Sequence, residues 1–265
     1  MPSSLLSVSI EPQGPECPFV NKRLAFELWP AQVLWLRGPS GAGKSYTCMH
    51  LAGLASLPAA RVETRWPPEL ARRERIGFLF QKGVLVDALT LRENIALALL
   101  SAGAEAPSEE RVASSLGAVG LSYERDGHKM PGELSGGMLR RAALAQVLAQ
   151  RKRLIVLDEP FVGLDPPVAL EIATLISEVA KQRQVAFILV SHMEHLAKRL
   201  EPALTLELTP RPLPSADERR IGSRRSIPLW RGPLSMLSRV VHRFADYFFY
   251  SLPLIVSAFV ATGMC

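Results

Sequence analysis

VLWLRGPSGAGKSYTCMHL, residues 33–51, decides the fold. The apolar run Val33–Leu36 reads as a buried strand, and a helical pattern follows over about 45–54. Between them GPSGAGKS, residues 38–45, fits the spacing G-x-x-x-x-G-K-[ST]. Strand, glycine-rich loop and helix in that order are what a phosphate cradle needs. The glycines let backbone N–H groups turn inward, and the helix N-terminus adds a positive end. Lys44 is placed to reach the outer phosphates and Ser45 to give its hydroxyl to Mg²⁺. A chance glycine-rich turn would not need the strand before it or the helix after it.

Working outward, short apolar runs alternate with helical patterns. Strands are expected at 76–80, 154–157, 185–190 and 204–208, and helices at about 91–100, 108–118, 137–150, 167–182 and 193–200. Such alternation predicts an α/β fold with a mostly parallel sheet. The stretch from about 88 to 150 offers helical patterns only and reads as a helical subdomain inserted into that sheet domain.

The sheet's predicted strands carry the chemistry at their ends. LIVLDE, residues 154–159, is an apolar strand delivering Asp158 and Glu159 where α/β sheets hold ligand groups. Asp158 suits Mg²⁺, and Glu159 could polarise an attacking water. Gln81 and His192 end two further strands. Each alone could be an ordinary capping or hydrogen-bonded polar side chain, but a shared sheet edge would let them converge on the γ-phosphate. ELSGGMLRRAALAQVLA, residues 133–149, sets Ser135, Gly136 and Gly137 at a helix start, either a plain N-cap or a second anion-binding turn.

In order, GPSGAGKS, Gln81, LSGGM, LIVLDEP, GLD (163–165) and His192 resemble the ATP-binding cassette (ABC) ATPases over about residues 5–210. The resemblance implies a P-loop NTPase fold, with ATP and Mg²⁺ as its ligands. Gly38, Pro39, Ser40, Gly41, Ala42, Gly43, Lys44, Ser45 and Tyr46 would form the Walker A loop. Asp158 would be the Walker B aspartate, sharing Mg²⁺ with Ser45 and Gln81. Glu159 would be the catalytic base, assisted by His192 and Gln81. Ser135, Gly136, Gly137 and Asp165 would meet ATP bound to a second copy in a homodimer. Met138 in place of the usual glutamine, Phe161–Val162 before the GLD turn, and the segment from Phe78 to Leu99 resemble one branch, the MCE-associated (Mla-type) phospholipid transporter ATPases. That branch implies a permease of MlaE-like type, an MCE-type lipid-binding component and membrane lipids as partners. Two positions depart from the pattern. The aromatic that stacks on adenine has no clear candidate besides Phe19, and Tyr46 follows the Walker serine, where only its N–H need serve.

Composition bounds the rest. The chain is 48% hydrophobic and 21% charged, as a packed domain is. Its three cysteines are scattered, which fits a reducing compartment and no zinc site. The net charge of +6 is concentrated after residue 210, where eight arginines face three acids. A nearly neutral domain with a basic strip argues against nucleic acid and for the cytoplasmic face of the inner membrane. The chain therefore divides into an ATPase domain at 1–210, a basic Pro- and Arg-rich linker at 211–235, and an amphipathic to apolar segment at 236–265. The uncharged run YFFYSLPLIVSAFVATGMC, residues 247–265, has the length of a membrane span, with aromatics and arginines before it. It also resembles the opening of an Mla-type permease, so the expectation is a peripheral or tail-anchored ATPase joined to the first part of its permease. A soluble ABC ATPase acting on DNA or ribosomes is the rival class. The short segment 82–133 leaves no room for a coiled-coil insertion, and only one cassette is present.

Overall fold

A computed structural model describes residues 4–14, 17, 19, 23–81, 85–102 and 107–211. The linker from 212 and the apolar run lie outside the described residues. The elements are β1 (Leu6–Pro12), β2 (Leu24–Leu28), β3 (Val33–Arg37), α1 (Lys44–Leu51), β4 (Ala60–Arg65), α2 (Arg72–Arg75), β5 (Ile76–Leu79), α3 (Leu91–Ser101), α4 (Glu109–Gly117), α5 (Tyr123–Asp126), α6 (Gly136–Ala149), β6 (Leu154–Asp158), α7 (Pro166–Arg183), β7 (Ala186–Val190), α8 (Glu194–Arg199) and β8 (Leu204–Glu207). Five strands form a wholly parallel sheet in the order β5-β6-β7-β3-β8. Its central strands read as unbroken apolar runs because both of their faces are covered.

Alternate residues of those strands enter two different cores. Trp35, Ile155, Leu157, Phe187 and Leu189 face a core shared with α3, α4, α6 and α7. Leu34, Leu36, Val156, Ile188 and Val190 face the other, closed by β1, β2 and Cys48 of α1. Between β5 and β6 every described element is helical, and α3, α4 and α6 pack on one another there. Thr90 starts α3 with a capping box: its side chain accepts from the Glu93 N–H, and the Glu93 carboxylate accepts from the Thr90 N–H at 2.7 Å.

Sequence reasoning missed a second sheet. β2, β1 and β4 form a three-stranded antiparallel sheet, so the expectation of one mostly parallel sheet holds for the five central strands only. The physical reason is weak patterning: β1 ends in Pro12, and β4 (ARVETR) buries no residue fully.

Candidate functional site

The parallel order brings the predicted groups to one edge. From β5 to β3, the C-terminal ends of the strands carry Gln81, the Asp158–Glu159 pair, Ser191–His192 and the loop 38–45. That loop needs its glycines. Gly38 has φ of +142°, and a Cβ there would lie 2.5 Å from the Leu208 carbonyl oxygen. Gly43 caps α1 with φ of +81°, a left-handed conformation costly for any other residue.

Inside the loop, the Lys44 ammonium is buried and donates to the carbonyls of Gly38 at 2.7 Å and Pro39 at 2.9 Å. It also stands 3.2 Å from His192 Nε2, which is itself 3.4 Å from Glu159 Oε1. The imidazole nitrogen therefore lies between a cation and a carboxylate, and the ring tautomer decides which one it engages. Beside this chain, Ser45 Oγ donates to Asp158 Oδ1 at 2.9 Å. Trp35 Nε1 donates to the Ser191 carbonyl at 3.1 Å and so anchors the turn that carries His192.

Burial sets the electrostatics. Desolvation raises the Asp158 pKa against the pull of Ser45, Lys44 and Arg140. Glu159 is likewise raised by desolvation, with His192 opposing. Lys44 is lowered by the same cause, with Glu159 and Asp158 restoring part of its charge. Glu159 also sits in the left-handed region, at φ of +49°, its N–H donating to Val190 O at 2.9 Å. A non-glycine residue held so is strained, and such strain gathers at functional sites.

Ser135, Gly136 and Gly137 form a second group. Ser135 caps α6 by accepting from the Met138 N–H at 3.3 Å. A Cβ at Gly137 would meet Val168 Cγ1 at 2.9 Å, and one at Gly136 would lie 4.0 Å from the Gly163 carbonyl oxygen. Gly137 thus lets this turn approach the start of α7, whereas Gly136 stands beside the GLD loop with room for a Cβ. Asp165 is exposed and heads α7 without a side-chain capping bond. Met138 packs against the helical core.

Two findings went beyond the sequence reading. Phe19, the only aromatic considered for adenine stacking, is fully buried in the second core and offers no face to a base. Arg140, not singled out as a site residue, is 7% exposed and donates to five backbone carbonyls: Phe80 at 2.8 Å, Gln81 at 3.1 Å, Asp158 at 3.3 Å, Glu159 at 2.8 Å and Pro160 at 2.7 Å. Burial lowers its pKa to about 10, still cationic at neutral pH. The signal available was the first arginine of RRAALA, which periodicity alone could not sort into core or surface. Arg141, its neighbour, donates to Val119 O at 3.0 Å and pairs with Glu171.

The family model described as ABC transporter matches residues 21–162, more than half of the chain. The chain belongs to the ABC transporter family. This ABC ATPase is 36% identical over 192 residues to the lipoprotein-releasing system ATP-binding protein LolD of Gluconobacter oxydans, a match covering 68% of this chain and 82% of the relative. It is 37% identical over 173 residues to the thiamine import ATP-binding protein ThiQ of a Ruegeria species, covering 64% and 74%. Among solved structures it is similar to the dimeric post-hydrolysis ATP-binding cassette MJ0796 bound to ADP and Pi, with a TM-score of 0.63 and 25% identity, over 76% of this chain and 94% of that one. The activity of this ABC ATPase is hydrolysis of ATP as the nucleotide-binding domain of a transporter. Among the described residues no helix is long and apolar enough to cross a membrane.

Proposed function

We propose that two copies of this ATPase close on ATP at the cytoplasmic face of the inner membrane, and that hydrolysis drives a permease that moves lipid, a phospholipid by preference. The observation that carries the hydrolytic part is the joined group Lys44, His192 and Glu159 beside the Ser45–Asp158 pair. The loop 38–46 binds the phosphates through its N–H groups and Lys44. The raised, desolvated carboxylate of Glu159 accepts a proton from the attacking water. His192 and Gln81 orient that water and the γ-phosphate. Ser135, Gly136, Gly137 and Asp165 complete the nucleotide site of the second copy.

Mg²⁺ fits the donors present. Ser45 Oγ and Asp158 Oδ1 are two hard oxygens already 2.9 Å apart, and a cation that keeps its waters takes few protein oxygens plus the phosphates. Bound there, with Gln81 beside it, the ion would offset charge on the phosphate oxygens.

For the cargo, support comes from Met138 and Phe161–Val162, which resemble the Mla-type branch. An MlaE-like permease and an MCE-type component are the partners this reading implies. The domain limits, with the helical subdomain about 88–150 in a domain 1–210, belong to the same reading. Import of a small soluble molecule is the second reading, since relatives named for thiamine import match at similar identity. Recovering the ATPase with its permease from detergent-solubilised membranes, and measuring turnover in vesicles, separates the two. Copurified phospholipid and ATP turnover that depends on vesicle lipid are expected. Stimulation by thiamine, with no bound lipid, would replace the lipid reading with the second.

A further inference from the structure

The structure assigns to Arg140 a positioning role in hydrolysis: one guanidinium fixes the two loops that present Glu159 and Gln81, and ties both to the helix that begins at Ser135. This rests on Glu159 being the base.

Three segments distant in the chain meet at this one side chain. The acceptors Phe80 and Gln81 leave β5; Asp158, Glu159 and Pro160 leave β6; Arg140 itself is one turn into α6. None of the five acceptors is a carboxylate. A buried cation is normally paired; here the backbone alone satisfies it, and the Asp158 and Glu159 carboxylates contribute charge rather than hydrogen bonds. Those carboxylates stay free for other work: Asp158 for the Ser45 hydroxyl, Glu159 for His192.

The geometry also explains how the strained residue stays put. Glu159 has φ of +49°, with its N–H held by Val190 O and its carbonyl held by Arg140. Both ends of the residue are clamped, so the carboxylate projects from a fixed base. Across the groove, the Gln81 carbonyl bonds the same guanidinium nitrogen as Phe80, and this sets where the Gln81 side chain starts. An arginine is required because its planar fork carries five donors, whereas a lysine has three on a single atom. Because Ser135 caps the helix that carries Arg140, a shift of that helix moves both loops together.

The test compares Arg140→Lys and Arg140→Met with wild type in the full-length protein, reading kcat, KM for ATP and the thermal midpoint. Misplacing a catalytic group by about 1 Å costs roughly 10²-fold, so kcat is expected to fall on that order with KM within about twofold, lysine keeping more than methionine. Hydrogen exchange read by mass spectrometry should quicken selectively in peptides covering Phe80–Gln81 and Asp158–Pro160. A folded Arg140→Lys with wild-type kcat overturns the inference. So does a loss of activity that merely follows the folded fraction, with exchange unchanged at those two loops. Glu159→Gln serves as the reference. If it still hydrolyses ATP, the base assignment fails; if it stops while Arg140→Lys turns over normally, only the Arg140 role fails.

Discussion

Glu159 is held where ionising is unfavourable, and that has two measurable effects. Its folded-state pKa is raised by desolvation, so the folded chain binds this proton more tightly than the unfolded one. The cost of the ionised form is absent below the ordinary carboxylate range and complete once pH has passed the raised value. Glu159→Gln removes that cost. At neutral pH its thermal midpoint should equal or exceed that of wild type, while at acid pH the two converge; a clearly lower midpoint at neutral pH would contradict the assignment. The same substitution should cut kcat by roughly 10²–10⁴-fold, the contribution of a placed general base. In wild type, the acid limb of kcat should lie above the usual carboxylate range. Lys44→Ala removes charge-assisted bonds worth about 1.5–3 kcal/mol, so ATP affinity should weaken by roughly ten- to a hundredfold in a fluorescent-nucleotide titration. Most of these residues could be read from the chain because each sits at the end of an apolar run or in a fixed spacing. Arg140 could not. An arginine in a helix is usually solvated, and only the tertiary structure shows five carbonyls waiting for it.

Among the elements, α6 starts with little room to spare. Its first turn carries Gly137 with Val168 Cγ1 2.9 Å from where a Cβ would stand. Gly137→Ala should therefore destabilise the domain by about 1–3 kcal/mol, as overpacking does, read as a fall in the denaturant midpoint. It should also displace the Ser135 turn. Val168→Ala in the same chain should relieve the overlap and recover most of the loss, which a general defect in helix propensity would not allow. The contrast between the two sheets shows what patterning can reveal. β7 is apolar throughout and β6 is apolar up to Asp158 because both faces are covered, and they stand out in any window. β1 and β4 pair over six residues, yet β4 (ARVETR) presents alternating half-exposed positions without a large apolar side chain besides Val62. Nothing in that composition separates a strand from a polar loop. Phe19 is ambiguous in sequence for a related reason: an aromatic in an irregular stretch can be a platform or a plug, and here it plugs the second core.

At the scale of the whole molecule, the two functional groups point to different jobs. In the proposed reading the strand-edge group serves one nucleotide, while the Ser135–Gly137 turn stands beside the GLD loop, joined to the edge through Arg140. A chain built this way is expected to complete its sites only as a pair. Glu159→Gln with ATP should elute as a dimer in size-exclusion chromatography with light scattering, and as a monomer without nucleotide; a monomer under both conditions would leave each site self-contained. One contact described above has a mechanical meaning. The Leu208 N–H donates to Arg37 O at 2.9 Å, while the Leu208 carbonyl stands against Gly38, where no side chain would fit. The first residue of the phosphate loop and the outgoing chain after β8 are thus clasped back to back. Tension applied to the polypeptide beyond Leu208 would reach the glycine-rich loop 38–45 through a single residue, so a pull on that strand exit would act as a bridle on the loop.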